Sequence, residues 1–452
     1  MTSVLDSSIF GPLFSDEAIG NLLTDAAQVR AMVEVEVALA RAQARLGIIP
    51  QTAAERIANS TEAERIDLTA LAKGTVRSGF PVIALVQEIR RLVGAEAASY
   101  VHWGATTQDI MDTGFVLQLR GVTRVLRARL SELARDLAEL CGVHRRTVLA
   151  GRTHGQQALP VSFGLKVATW LAPLVRHSER LDEISRRLLV VQFGGAAGTL
   201  AAVGDKGLAV MQEMADELHL ASPGMPWHAQ RDALVEFAGW LSLVTGSLGK
   251  MAQDIILLAQ TEMDEVAESA EEGRGGSSTM PQKSNPITSE LILAAARANA
   301  SLLSAIHHAQ VQEHERATHG WQVEWLALPQ MVILTGGALK HALFLAKNLQ
   351  VNGTKMRVNI ASAHNVILAE AAVFALAKTM PRTKADEVVR RACGIALSEG
   401  KSLIEVVKEL TSGMIADGAI DWRRLAAPEN YLGVTEHIID RVLQEAKKVS
   451  QP

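Results

Sequence analysis

Apolar residues recur along most of this chain at steps of three and four, the spacing that places side chains on one face of an α-helix. Over 26–46 they are Val29, Met32, Val33, Val37, Ala40 and Ala44, with Gly47 and Pro50 closing the run. Two shorter helices are expected within 66–92, broken around 79–81. A long helix follows over 114–143, carried by Leu119, Val122, Leu126, Leu130, Leu133, Leu137 and Leu140. The next is expected over 161–192, opened by Pro160 and kinked or split by Pro173. The cleanest seam lies in 232–262, where Leu234, Phe237, Leu241, Val244, Leu248, Met251, Ile255 and Leu258 hold a heptad spacing for more than three heptads. Helices over 288–312 and 322–349 extend the pattern past Pro329. Beyond 351 the segments shorten, with helices near 384–399 and 403–409 and turns at Gly418 and Pro428. No 20–50-residue period repeats, which disfavours a solenoid.

This pattern predicts an all-α fold in three parts: an N-terminal helical domain over 1–100, a central bundle of long helices over 101–350, and a small C-terminal helical domain over 351–452. The central stripes are broader than one neighbouring helix could cover, so they call for partners in the same chain or in other copies of it.

Composition narrows the function. Of the 452 residues, 48% are hydrophobic and only 4% aromatic, which suits helices and a sizeable core. A net charge of −4 leaves no basic footprint for nucleic acid or an anionic membrane surface. The two cysteines, Cys141 and Cys393, have no metal-ligand spacing and suit a reducing cytoplasm. The first residues lack a basic region followed by an apolar run, so no secretory signal is expected. No uninterrupted apolar run reaches about 18 residues, which argues against a membrane span.

Several motifs fail for want of context. Phe193-Gly-Gly-Ala-Ala-Gly198 looks like a dinucleotide loop but follows a predicted helix instead of a strand, so a turn between helices is expected. Gly246-Ser-Leu-Gly-Lys250 lies inside the heptad helix. His314 and His319 are five residues apart, which does not set both on one helical face as zinc ligands require, so no metal site is expected.

Polar islands at the ends of the long helices carry the candidate chemistry. In 102–113, Thr106, Thr107, Gln108 and Asp109 precede a helix, as an N-cap or as an anion site. In 151–160, Arg152, Thr153, His154 and Gln157 precede the next. Weaker islands are 226–232, with Arg231, and 312–325, with Arg316. The last is Gly273-Arg-Gly-Gly-Ser-Ser-Thr-Met-Pro-Gln-Lys-Ser-Asn-Pro286, where glycines flank Ser277 and Ser278 and Lys283 follows. Alone it reads as a flexible connector or as an anion-binding concavity. Together the islands supply hydroxyls, amides, imidazoles and guanidiniums, with carboxylates a minority, as a site for a multiply carboxylated substrate would.

Residues 276–286 resemble the signature loop of the fumarase/aspartase superfamily. Gly151-Arg-Thr-His154 and Gly104-Ala-Thr-Thr-Gln-Asp109 are similar to its other two regions, in the expected order, and the resemblance covers the whole chain. It implies a homotetramer whose active sites each draw on three subunits, reversible anti addition or elimination beside a carboxylate, and no cofactor. Ser277 matches the base. Lys283 and the loop amides would hold the aci-carboxylate, with Asn285 ordering the loop. His154 matches a positioning or acid-side histidine. Thr106, Thr107, Arg152, Thr153 and Gln157 would bind carboxylates, and Gln108, Arg231, Ser278, Met280 and Arg316 complete the candidate contacts.

Residues 193–198, 226–232 and 313–316 with Trp325 look most like the carboxymuconate cycloisomerase branch. The Thr-His-Gly run at 153–155 looks instead like adenylosuccinate lyases, which carry a second histidine where this chain has Gln157 and an early Arg-Tyr phosphate element that this chain lacks. Three readings stand: a cycloisomerase-like enzyme, a C–N lyase releasing fumarate from an N-substituted aspartate, and a non-catalytic helical scaffold.

Overall fold

The computed structural model describes residues 3–268, 280 and 283–449. Among these the chain is helical almost throughout, with 19 α-helices and two short two-stranded sheets. The all-α expectation holds.

The elements that matter below are α1 (Asp25–Arg45), α2 (Leu68–Ser78), α3 (Val82–Val93) and α4 (Thr107–Val143), then the hairpin β1 (Val148–Thr153) and β2 (Gln156–Ser162). They continue with α5 (Phe163–Leu188), α6 (Gly207–Leu218), α7 (Asp232–Leu258), α8 (Ile287–Ala309), α9 (Gly320–Asn348) and α10 (Gly353–Ser362). The C-terminal pair used here is α11 (Arg382–Glu399) and α12 (Leu403–Leu410).

The periodic seams form the helices they predict, with two differences. α4 starts seven residues earlier than the apolar run suggests, because its first two turns carry the polar island. Pro160 does not open a helix: it sits in β2, paired with Ala150 across an antiparallel ladder that runs from Val148↔Ser162 to Thr153↔Gln156. Pro173 lies inside α5 without splitting it.

The chain packs as two compact units, each drawn from three stretches. The first comprises Met1–Arg129, His177–Gly246 and Ala294–Lys340, and the second Leu130–Arg176, Ser247–Leu293 and His341–Pro452. The divisions fall within the long helices, whereas the sequence suggests boundaries near 100 and 350. Thr24 caps α1, its hydroxyl accepting from Ala27 N–H at 3.2 Å. The core of the first unit gathers Val29, Met32, Val35 and Leu39 of α1, Leu85 and Ile89 of α3, and Met211 and Met214 of α6. In the second unit the inner face of β1, Val148 and Ala150, packs with Ile360 of α10, Val389 of α11 and Leu403 of α12.

By length and composition, α7 and α9 are apolar enough to cross a membrane. Their apolarity serves packing: half of the most apolar window of α7 and 72% of that of α9 are buried. In the first unit, Asn299 of α8 reaches both helices, its amide lying 3.0 Å from Thr335 Oγ1 and 3.4 Å from Thr245 Oγ1. Such a buried polar contact fixes the register of apolar helices.

Candidate active site

In the first unit the opening of α4 is organised by Asp109. Thr106 precedes the helix, and the Asp109 carboxylate turns back to accept from Thr106 N–H at 2.9 Å, while Asp109 N–H donates to the Thr106 carbonyl at 3.0 Å. This is one half of a capping box: the third-residue carboxylate reaches back to the Thr106 amide, while the Thr106 hydroxyl is engaged elsewhere. The same carboxylate accepts from Gly194 N–H at 2.9 Å and Gly195 N–H at 3.0 Å, and His228 Nε2 stands 2.7 Å away. A fully buried carboxylate thus has four donors, which makes its charge tolerable. With the His228 proton on Nε2, the buried Nδ1 has no hydrogen-bond partner among the described residues.

The glycines at 194 and 195 are structural requirements. A Cβ at Gly194 would meet His228 Cε1 at 2.8 Å, and Gly195 has φ of +65°. The motif that mimics a dinucleotide loop is a strut: its backbone amides hold the first region in place. His102, just upstream, pairs with buried Glu36 at 2.6 Å. Burial pushes the His102 imidazole down, but Glu36 more than offsets this and its pKa lies above the ordinary histidine value.

Two guanidiniums flank this helix start. Arg316 donates to Thr106 Oγ1 at 2.7 Å and to Gln108 Oε1 at 3.3 Å. Gln108 in turn donates to Asp112 Oδ2 at 3.2 Å and to the His228 carbonyl at 3.0 Å. Arg231 is buried and doubly engaged, donating to Asp112 at 2.7 and 3.1 Å and to Glu324 at 2.8 and 2.6 Å. Trp321 Nε1 also donates to Asp112, at 3.0 Å, and the Trp227 ring stacks 4.8 Å from the guanidinium carbon. Burial opposes the Arg231 charge, but the two carboxylates overcome it and hold its pKa above the ordinary value. Burial raises the Glu324 carboxyl despite its arginine partner. Arg231, expected to contact substrate, is fully committed to this internal triad.

In the second unit the expected region at 151–160 is a hairpin. His154 and Gly155 form its two-residue turn with φ of 52° and 77°, the left-handed pair of a type I′ turn. Thr153 and His154 are exposed at its tip. Arg152, after a bulge at 151/152, is bidentate to buried Glu265 at 2.9 and 2.8 Å. Asn359 donates to Glu265 at 2.9 Å and to the Met263 carbonyl at 2.8 Å. Gln157 donates to the Asn359 carbonyl at 3.2 Å, and its own buried carbonyl oxygen lacks a partner among the described residues. Arg152 therefore spends both ends of its fork on Glu265.

Ser277 and Ser278 lie outside the described residues. Met280 and Lys283 are exposed, and Asn285 is half-buried. The two sides of the loop are tied by Glu268. It accepts from Thr288 N–H at 3.0 Å, Ser289 N–H at 2.8 Å and Ser289 Oγ at 2.7 Å, capping α8 with a buried carboxylate.

The structure thus brings Thr106 and Gln108 to Arg316 in one unit, and in the other links Arg152 to Gln157 through Glu265 and Asn359. Thr107 stands half-buried in the first turn of α4. Of the framework carboxylates, the sequence singles out only Asp109, within the polar island that precedes a helix; Asp112, Glu265, Glu268 and Glu324 carry no assigned role there. Among the described residues no group of three or more His, Cys, Asp or Glu side chains is placed to hold a metal ion.

Comparison with known proteins places this architecture. Residues 13–298 match the family model described as Lyase, and residues 365–442 match Adenylosuccinate lyase C-terminus. A 3-carboxy-cis,cis-muconate cycloisomerase of Pseudomonas aeruginosa is 44% identical over 98% of both chains. The crystal structure of the 3-carboxy-cis,cis-muconate lactonizing enzyme from Pseudomonas putida superposes with a TM-score of 0.93 at 40% identity, covering 98% of this chain and 100% of that one. An N-acetyl-S-(2-succino)cysteine lyase of Dickeya dadantii is 33% identical over 98% of this chain and 97% of its own. The chain belongs to the lyase family of the fumarase/aspartase superfamily, and it is an enzyme of that superfamily.

Proposed function

We propose that the protein is a cytoplasmic 3-carboxy-cis,cis-muconate cycloisomerase. It acts as a homotetramer on this small tricarboxylate, without a cofactor. The observation that carries this reading is the full-length likeness to cycloisomerases at 44% identity over 98% of both chains.

The chemistry is an isomerisation in which nothing is lost. A substrate carboxylate oxygen adds to a carbon of the conjugated diene, and the neighbouring carbon, beside another carboxylate, takes a proton. In the reverse direction Ser277 removes that proton and the electron pair passes into the carboxylate. Lys283 and the loop amides hold the doubly charged aci-carboxylate, and the ring C–O bond then breaks. The departing oxygen is a carboxylate, a weak base that needs no proton donor. Gln157, where related C–N lyases carry a histidine, suits that demand. Arg316, Thr106, Thr107 and Gln108 supply one carboxylate grip, with His154 and Thr153 positioning from the hairpin tip. Ser278, Met280 and Asn285 belong to the loop side.

Assembly is supported by apolar residues left on the long helices: Leu243 and Leu257 on α7 and Leu326 on α9 are about half or more exposed in the single chain.

The test is an absorbance assay. Turnover of 3-carboxy-cis,cis-muconate, read as loss of the diene band and abolished by Ser277→Ala, is expected. Inertness toward it would sink the reading. The likeness to the Dickeya lyase favours, as the second reading, a C–heteroatom lyase releasing fumarate, which would consume fumarate only when an amine or thiol is added.

A further inference from the structure

The first unit holds a cavity of about 580 Å³, open to solvent on one side, lined by α1, α2, the start of α4 and α9. Val29, Met32, Leu71, Phe115, Trp321 and Trp325 give it apolar and aromatic walls. Its volume suits a small organic molecule. One wall is the buried triad of Asp112, Arg231 and Glu324, exposed by 4, 2 and 6%. Each carboxylate oxygen of the triad already accepts a hydrogen bond: those of Asp112 from Arg231, Trp321 and Gln108, and those of Glu324 from Arg231.

What the triad lacks is charge. Two buried carboxylates face one guanidinium, so an excess negative charge lies at the cavity wall; Asp25, a third carboxylate of the lining, is exposed to water. Excess charge away from water is costly unless it is neutralised. An anion entering here meets like charge, so the cavity disfavours a polycarboxylate. A cation meets two carboxylates and two indole rings, and indole faces attract cations.

We propose that this cavity binds a compact apolar organic cation, an aryl- or alkylammonium ion, with its ammonium group against Asp112 and Glu324 and its hydrocarbon body against Trp321 and Trp325. The occupant completes the triad electrically and fills the apolar volume beside it. This inference is independent of the proposed reaction.

Isothermal titration of the full-length protein with 2-phenylethylammonium, 2-phenylethanol and 3-phenylpropionate tests it. The three share a body and differ in head charge. The expected result is saturable binding of the ammonium at least about tenfold tighter than the alcohol, with the carboxylate weakest. In the unmodified protein, the indole N–H resonances of Trp321 and Trp325 shift on titration. Ala72→Trp, at an exposed position in the cavity lining, abolishes the heat of binding without lowering the melting temperature, and Asp25→Asn weakens binding several-fold. The proposal is overturned if the ammonium gives no saturable heat or if all three ligands bind alike. It is likewise overturned if binding survives Ala72→Trp or leaves both indole resonances unmoved.

Discussion

Arg316 and Arg231 stand on opposite sides of one side chain. Gln108 accepts from Arg316 through its carbonyl and donates through its amide to Asp112, which holds Arg231. Arg231 is met by two carboxylates. Among the described residues the hydrogen-bond partners of Arg316, a hydroxyl and an amide carbonyl, are neutral. A guanidinium answered by carboxylates is part of the frame. One held in place by neutral acceptors is not neutralised by them, which is why we propose Arg316 for the substrate. The second unit repeats the lesson, since Arg152, the arginine of the family-like motif, is answered by Glu265. Possession of an arginine in a polar island says little about function until its counter-ions are known.

The sharpest way to break this comparison is Arg231→Met. It strands two buried carboxylates, and we expect a loss of about 3–5 kcal/mol in chemical denaturation. A loss below about 1 kcal/mol would show that the triad is not the frame. Next comes Arg316→Met. Stability should stay within about 0.5 kcal/mol of the parent, while kcat/KM falls about 100-fold, a cost of about 2.7 kcal/mol in transition-state binding. If this variant unfolds as readily as Arg231→Met, the two arginines are alike after all. Asp109→Asn should cost about 2 kcal/mol by denaturation, because the amide cannot accept from all four donors, and KM should rise as Thr106 loosens.

The smallest effect is the His102–Glu36 pair. The histidine's folded pKa is raised, so the pair's stabilisation is complete below the unfolded value near about 6.5. It is lost as pH rises through the folded pKa. The melting temperature of the parent minus that of Glu36→Gln should therefore shrink between about pH 5 and about pH 8. A difference that is flat or growing over that window would remove the pair from the account.

The long helices were legible because their seams are local: Leu234 through Leu258 announce α7 without reference to anything else. The hairpin was not. Leu149, Gly151 and Thr153 alternate with Ala150 and Arg152, and His154-Gly155 is a turn signal, but the run is short and ends at Pro160, which also reads as a helix start. What settles it as strand is burial of Val148 and Ala150 beside α10, about two hundred residues away. The polar island at 106–109 was readable for the same reason the seams were, as an N-cap or anion site, although the apolar run placed its helix start at 114. Glu265, Glu268 and Glu324 were not, because a carboxylate gives no sign of whether it faces water or a distant guanidinium or helix end.

Glu268 has a consequence for how such an enzyme changes over generations. Its carboxylate fastens residue 268 to Thr288 and Ser289 at the start of α8. A lineage that loses this carboxylate leaves three donors at a buried helix start without their acceptor. The position is therefore held by the fold itself, whatever the reaction demands of its neighbours.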